Sequence, residues 1–303
     1  MYIFERLRKL FYSKKLFSNW FSAGIRYYLI KYGLAKDVIT IRCGDIKKSI
    51  DSKTYLTIIN AYYNKLFEEL ECSDSIYILF TYRGKKIRLY DAFKNLYDII
   101  LENFFSDIYD YIDFRDRMVI DVGAGIGDTA ILFSFNGARR VIGLEPFPSL
   151  YKKALINIKI NNVDDKVILL NAVLGSLDEV VCIDIDETQN YVMFKPDLKK
   201  DCEKNHKIRI YTLASLIREF MIEKDSILKL DCEGCEYEVI RSVTSEDLKI
   251  FDKIIIEYHN GYNEIKKILE NTGFKTLIKP LRSVSIPIEV QGYIIAERNG
   301  FKK

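Results

Sequence analysis

Proline is missing from the first 145 residues of this chain: none of its five occurs before Pro146. That excludes a proline-rich linker there, and no Gly/Ser-rich stretch takes its place. No apolar run is long enough to span a bilayer. The N-terminus is aromatic and basic and lacks a small-residue cleavage site, so no secretory leader is read and a cytoplasmic location is expected. The six cysteines (Cys43, Cys72, Cys182, Cys202, Cys232, Cys235) are scattered, and their spacing gives no disulfide framework. Only Cys232 and Cys235 have a metal-like spacing, and one such pair makes no zinc site. Histidine occurs twice.

What is present describes a globular protein. The chain has 303 residues, 49% hydrophobic and 29% charged, enough for two ordinary domains or one large one. Its net charge of +3 is unevenly spread. The first 31 residues hold seven Lys or Arg and one acid, so the whole basic excess is N-terminal. Ten aromatics fall between Tyr2 and Tyr32. Residues 1–33 read as a helical arm with Phe4, Leu7, Leu10, Phe11, Phe17 and Phe21 on one broad face. Such an arm either lies on an anionic membrane surface or packs on its own domain with a solvated basic face; the second is commoner. A strand over Val38–Arg42, a helix over Ser52–Leu70, a hairpin turning at Arg83-Gly84 and a helical stretch over Ala92–Tyr111 follow. Residues 1–115 are therefore expected to form an N-terminal α/β cap without recognisable chemistry.

From Arg115 strands alternate with helices, which predicts a parallel sheet covered on both faces. The organising stretch is 118–147. Val119–Val122 is a short apolar run ending in Gly123, Gly125 and Gly127, which allow a tight turn close to a ligand. Thr129–Phe135 is a helix stopped by Gly137, and Val141–Leu144 a second strand ending at Glu145. In a doubly wound sheet these strand ends meet at one crevice. The later strands deliver Asn171 and Ala172, then Asp231 with Glu233 and Glu236, then Glu257 with His259. The expected fold is α/β: a seven-stranded, mostly parallel sheet with an antiparallel edge, over residues 116–303.

Two ligands fit the glycine turn. It satisfies the dinucleotide fingerprint, with Glu145 as the ribose-binding acid. S-adenosylmethionine would use the same Glu145. Asp121 and Asp128 favour the second, since a cationic sulfonium welcomes carboxylates where a pyrophosphate would be repelled.

Val-Ile-Asp-Val-Gly-Ala-Gly-Ile-Gly-Asp-Thr-Ala (119–130), Val-Ile-Gly-Leu-Glu-Pro (141–146), Asn-Ala-Val-Leu-Gly (171–175) and Leu-Lys-Leu-Asp-Cys-Glu-Gly-Cys-Glu (228–236) resemble the FkbM family of S-adenosylmethionine-dependent, class I methyltransferases. The likeness covers about residues 100–297, and the 229–236 element is its most specific part. It implies O-methylation of a hydroxyl on a sugar, glycan or secondary metabolite. Carried over, Asp121, Gly123, Gly125 and Gly127 would hold the amino-acid end of the donor, and Asp128 is counted among the donor-binding residues. Glu145 would bind its ribose. Pro146, Phe147, Asn171 and Ala172 would border its adenine, and Asp231 would face the transferred methyl.

The acceptor must lose a proton, and His259, at a strand end, is the candidate general base. Glu233 and Glu236 either serve the acceptor or charge the N-terminus of the next helix. Asp231, Glu257 and His259 have ligand types that suit a divalent ion, but no metal is assigned. The cysteine pair reads as two small residues filling space at a helix start. No Asn/Asp-Pro-Pro-Tyr run follows the fourth strand, so a nucleic-acid acceptor is not expected. Two rival readings remain: a nicotinamide-dependent oxidoreductase, and a non-catalytic adaptor that keeps the donor fold.

Overall fold

The computed structural model describes residues 11–94, 96–183, 206–281 and 286–298. The sequence pattern also gives added strands over Val180–Ile185 and Lys207–Tyr211 with a polar loop between them; the end of the first and that loop, like the first ten residues of the basic arm, lie outside the described residues. The chain divides into two compact units, residues 1–105 and 106–303.

In the first unit, helix α1 (Trp20–Lys31) precedes the antiparallel pair β1 (Ile39–Cys43) and β2 (Ile46–Ile50). Phe17 is buried against the ring of Tyr55, whereas Phe11 and Phe21 of the expected apolar face are exposed. Helix α2 (Ser52–Tyr63) starts where the Asp51 carboxylate accepts the Thr54 N–H at 2.7 Å. It ends six residues before Glu69 rather than running on to Leu70, because Lys65 turns left-handed (φ +60°). The chain then enters β3 (Glu69–Cys72). Strands β4 (Ile76–Tyr82) and β5 (Lys85–Tyr90) form the expected hairpin, with Arg83 and Gly84 both at positive φ. The stretch expected to be one helix over Ala92–Tyr111 is instead a wide-turn helix, Asp98–Phe104, and a 3₁₀ turn, Tyr109–Tyr111.

The absence of a disulfide framework is corrected. Cys43 and Cys72, at the ends of β1 and β3, are bonded (Cα–Cα 5.7 Å), as are Cys232 and Cys235 (5.5 Å). Sequence spacing does not show that the first two strand ends meet.

The second unit is built on a seven-stranded sheet. Its strands are β6 (Met118–Val122), β7 (Arg140–Leu144), β8 (Val167–Leu170), β12 (Ser226–Leu230), β13 (Phe251–Tyr258), β14 (Lys275–Pro280) and β15 (Gly292–Glu297), in the order β14-β15-β13-β12-β6-β7-β8. The run β13-β12-β6-β7-β8 is parallel, and β15 enters antiparallel between β13 and β14. The sheet order thus reverses between β6 and β12, a topological switch point. Strands β9 (Ala172–Leu174), β10 (Glu179–Ile183) and β11 (His206–Tyr211) make a separate three-stranded sheet.

One face of the main sheet packs Ile120, Val122, Leu228, Leu230 and Ile256 against helices α5 (Leu213–Glu219), α6 (Glu236–Ser242), α7 (Ser245–Leu248) and α8 (Asn263–Asn271). The alternate residues Asp121 and Lys229 point to the other face, toward helix α3 (Asp128–Phe135). Phe133 of that helix stacks on Phe114 at 4.7 Å, which ties residues 106–115 to this unit. Gly137 closes α3 as expected: its N–H reaches the Ser134 carbonyl, and that of Ala138 reaches Phe133.

Candidate active site

The glycine turn is shaped by what crowds it. A Cβ at Gly123 would lie 1.7 Å from the Asp231 carbonyl oxygen, so only glycine lets the β12 end pass. Gly127 precedes α3 at φ +84°, and a Cβ there would press on Ala154 of helix α4 (Pro148–Ile160) at 3.2 Å. Between them, the Gly125 N–H donates to Glu145 at 2.9 Å.

Glu145 is buried at the end of β7. Its other oxygen accepts the Phe147 N–H at 2.8 Å, so the carboxylate joins the glycine turn to the Pro146-Phe147 loop. Burial pushes its pKa up to about 8, against the two amide bonds that lower it. The Asn171 amide donates to the carbonyls of Glu145 and Pro146 at 2.8 and 2.9 Å, and Ala172 follows at the start of β9. The expected ribose and adenine residues therefore share one hydrogen-bonded corner. Asn171 acts there by bracing the loop.

Asp121 lies elsewhere in the balance of charge. It is fully buried, accepts the Thr129 hydroxyl at 2.6 Å and stands 3.2 Å from the Lys229 ammonium. Burial raises its pKa, opposed chiefly by Lys229. Lys229 also donates to the Gly123 carbonyl at 2.9 Å and meets Asp231 at 3.3 Å. Burial alone would lower the pKa of Lys229, but Asp121 and Asp231 hold it well above the ordinary value. The carboxylates thus already have one cation within the chain, Lys229, before any ligand binds. Half of its signal was legible, a lysine inside the otherwise apolar strand Ser226–Leu230; its register pairing with Asp121 comes only with the sheet. Asp128, also buried, opens α3.

A second group forms where β12 and β13 end. Lys229 is level with Ile255, so Asp231, Glu257 and His259 follow on one face. His259 Nε2 is 3.3 Å from Glu233 and 3.7 Å from Glu257, and Nδ1 is 3.5 Å from Glu236. Burial would lower the pKa of His259; Glu236, Glu233 and Glu257 outweigh it and push it up to about 9. At neutral pH such an imidazole carries its proton, which weighs against the general-base role expected for it. Burial raises the pKa of Glu233, in part offset by His259. Its side chain is 48% exposed.

Of the roles open to Glu236, the geometry fits the one at the helix start. It is fully buried, and its two oxygens accept the N–H groups of Cys232 and Gly234, each at 2.9 Å. It braces the 232–236 loop at the start of α6 and does not present itself to an acceptor. Tyr109, buried near Lys229 and Asp231, is a neighbour the sequence reading did not include.

The FkbM methyltransferase domain matches residues 121–276. Methyltransferase 1 of Beauveria bassiana is 23% identical over 226 residues, 65% of this chain and 88% of that protein. The ribosomal protein L11 methyltransferase of Clostridium perfringens is 31% identical over 134 residues, 40% of this chain and 38% of that enzyme. Among solved structures, the magnesium protoporphyrin IX methyltransferase of Synechocystis PCC 6803 with bound S-adenosylmethionine is 16% identical, with a TM-score of 0.37 over 61% of this chain and 72% of that one. M. jannaschii TYW2 in complex with S-adenosylmethionine is 16% identical, with a TM-score of 0.38 over 76% of this chain and 91% of that one.

Proposed function

The chain belongs to the FkbM methyltransferase family, and on that premise we propose that it methylates a hydroxyl oxygen of a small-molecule or glycan acceptor. S-adenosylmethionine is the cofactor of the family. The observation that carries the reading is the convergence of two residue groups on the carboxyl ends of β6, β7, β12 and β13, beside the switch point. One is the glycine turn joined to Glu145. The other is Asp231 with Glu233, Glu257 and His259.

In this reading Gly123, Gly125 and Gly127 let the backbone close on the amino-acid end of the donor, with Asp121 and Asp128 behind it. Glu145 takes the ribose hydroxyls, and Pro146, Phe147, Asn171 and Ala172 border the adenine. Asp231 faces the methyl group. The reaction is an in-line displacement: an O–C bond forms while the S–C bond breaks, and the sulfur keeps the electron pair. The donor is already activated, so the chain's task is to align the acceptor and accept one proton. Glu233 takes that proton. Its raised pKa makes it a stronger base than an ordinary carboxylate, and it stands 3.3 Å from His259 Nε2.

Calorimetric titration of the full chain with S-adenosylmethionine and with NAD(H) tests the donor. Binding of the methyl donor alone is expected, and binding of NAD(H) alone would overturn the reading in favour of an oxidoreductase. A non-catalytic adaptor would instead bind the donor and leave every hydroxyl acceptor unmodified.

A further inference from the structure

The His259 side chain is 8% exposed, yet neither ring nitrogen has a hydrogen-bond partner among the described residues. A buried imidazole with two unsatisfied nitrogens is costly. The surrounding carboxylates stand off at 3.3–3.7 Å, the spacing of groups arranged around something. One carboxylate oxygen each from Asp231 and Glu257 and one nitrogen of His259 lie within 4.8 Å of one another. An ion with bonds of about 2.0–2.2 Å holds its ligand atoms roughly 3–4 Å apart. Closing this set takes side-chain shifts below about 1 Å, with no change in the strands.

We propose that Asp231, Glu257 and His259 bind a divalent cation whose open positions receive the hydroxyl oxygens of the acceptor. Two carboxylates with one imidazole suit an ion between the hard and soft limits, of the Mn²⁺ or Zn²⁺ type, better than Ca²⁺. The ion takes the place of the proton on His259 and brings positive charge to the carboxylates of Asp231 and Glu257. Lys229 stands 3.3 Å from Asp231, but its stronger ties are to Asp121 and the Gly123 carbonyl. The ion's role in the reaction rests on the O-methyltransferase reading. The bound hydroxyl becomes more acidic and loses its proton to Glu233, and its oxygen takes the methyl group from the sulfonium.

The test uses the full chain, stripped with chelator, without donor or acceptor. Titration with Mn²⁺, followed by electron paramagnetic resonance and calorimetry, is expected to show one site per chain with a Kd below about 100 μM. Pulsed resonance of the loaded protein is expected to show coupling to one imidazole nitrogen. Glu257→Gln and His259→Gln should each weaken binding at least tenfold, with circular dichroism confirming that both variants fold. Glu246→Gln, an exposed acid outside the group, should leave it unchanged. Millimolar binding only, binding without nitrogen coupling, or binding untouched by folded Glu257→Gln would each overturn the site. Mn²⁺ binding without donor binding would defeat the methyltransferase reading and leave the site standing; donor binding without Mn²⁺ binding would do the reverse.

Discussion

A lysine ammonium that is 2% exposed survives in the interior only because carboxylates stand beside it. Lys229→Met should therefore cost about 3–5 kcal/mol, since it leaves Asp121 buried without its counter-charge. Urea denaturation measures this, and adding Asp121→Asn should restore part of the loss. His259 makes a pH-dependent contribution of definite sign. Its pKa rises from 6.5 to about 9 on folding, so the protonated ring stabilises the native state fully below pH 6.5. That stabilisation, on the order of 3 kcal/mol, is lost as pH climbs through 9. In chelator, the melting temperature of the wild-type chain should exceed that of His259→Asn most at pH 6 and converge on it near pH 9.5. A constant gap would show that the carboxylates do not hold the proton. The chemistry-bearing residues were legible because they follow apolar strands at places where only function or charge pairing explains an acid. The exchange of roles among them was not legible. Glu236 differs from Glu233 only in where its oxygens find amide donors, and that is a matter of three-dimensional loop path.

At the scale of the element, the glycine turn is the part with least freedom. Gly123→Ala should destabilise the chain by more than the roughly 1 kcal/mol of an ordinary strained glycine. Its new methyl would overlap the Asp231 carbonyl, and β6 and β12 could not both keep their places. The readout is the yield of soluble protein and its melting temperature; a variant as stable as wild type would show that the two strand ends can part. Elements with a strong local signal were legible. The β4–β5 hairpin follows from Arg83-Gly84, and α3 from its apolar run and Gly137. Elements whose ends depend on context were misjudged. The aromatic stretch after Ala92 has helical periodicity, but its turns widen at Asp98–Phe104. The short strand β9, Ala172–Leu174, is visible only through its pairing with β11.

At the scale of the whole molecule, every residue proposed to touch donor or acceptor belongs to the unit 106–303. That unit expressed alone should bind S-adenosylmethionine within about threefold of the full chain, by calorimetry, a difference below about 1 kcal/mol. A much larger loss would show that residues 1–105 complete the donor site. No helix among the described residues is long and apolar enough to cross a membrane. By itself the sequence determined the parallel α/β sheet, the glycine turn and the acids at the strand ends. Those follow from short-range rules: apolar runs bury, glycines permit tight turns, and polar residues collect where strands stop. Only the tertiary structure decided which charges neutralise one another. It set Lys229 level with Asp121, drew His259 among carboxylates from two strands, and turned Glu236 inward. The physical reason is distance: an ion pair or a shifted pKa depends on separations of 3–4 Å between residues far apart in the chain, and no local pattern encodes them.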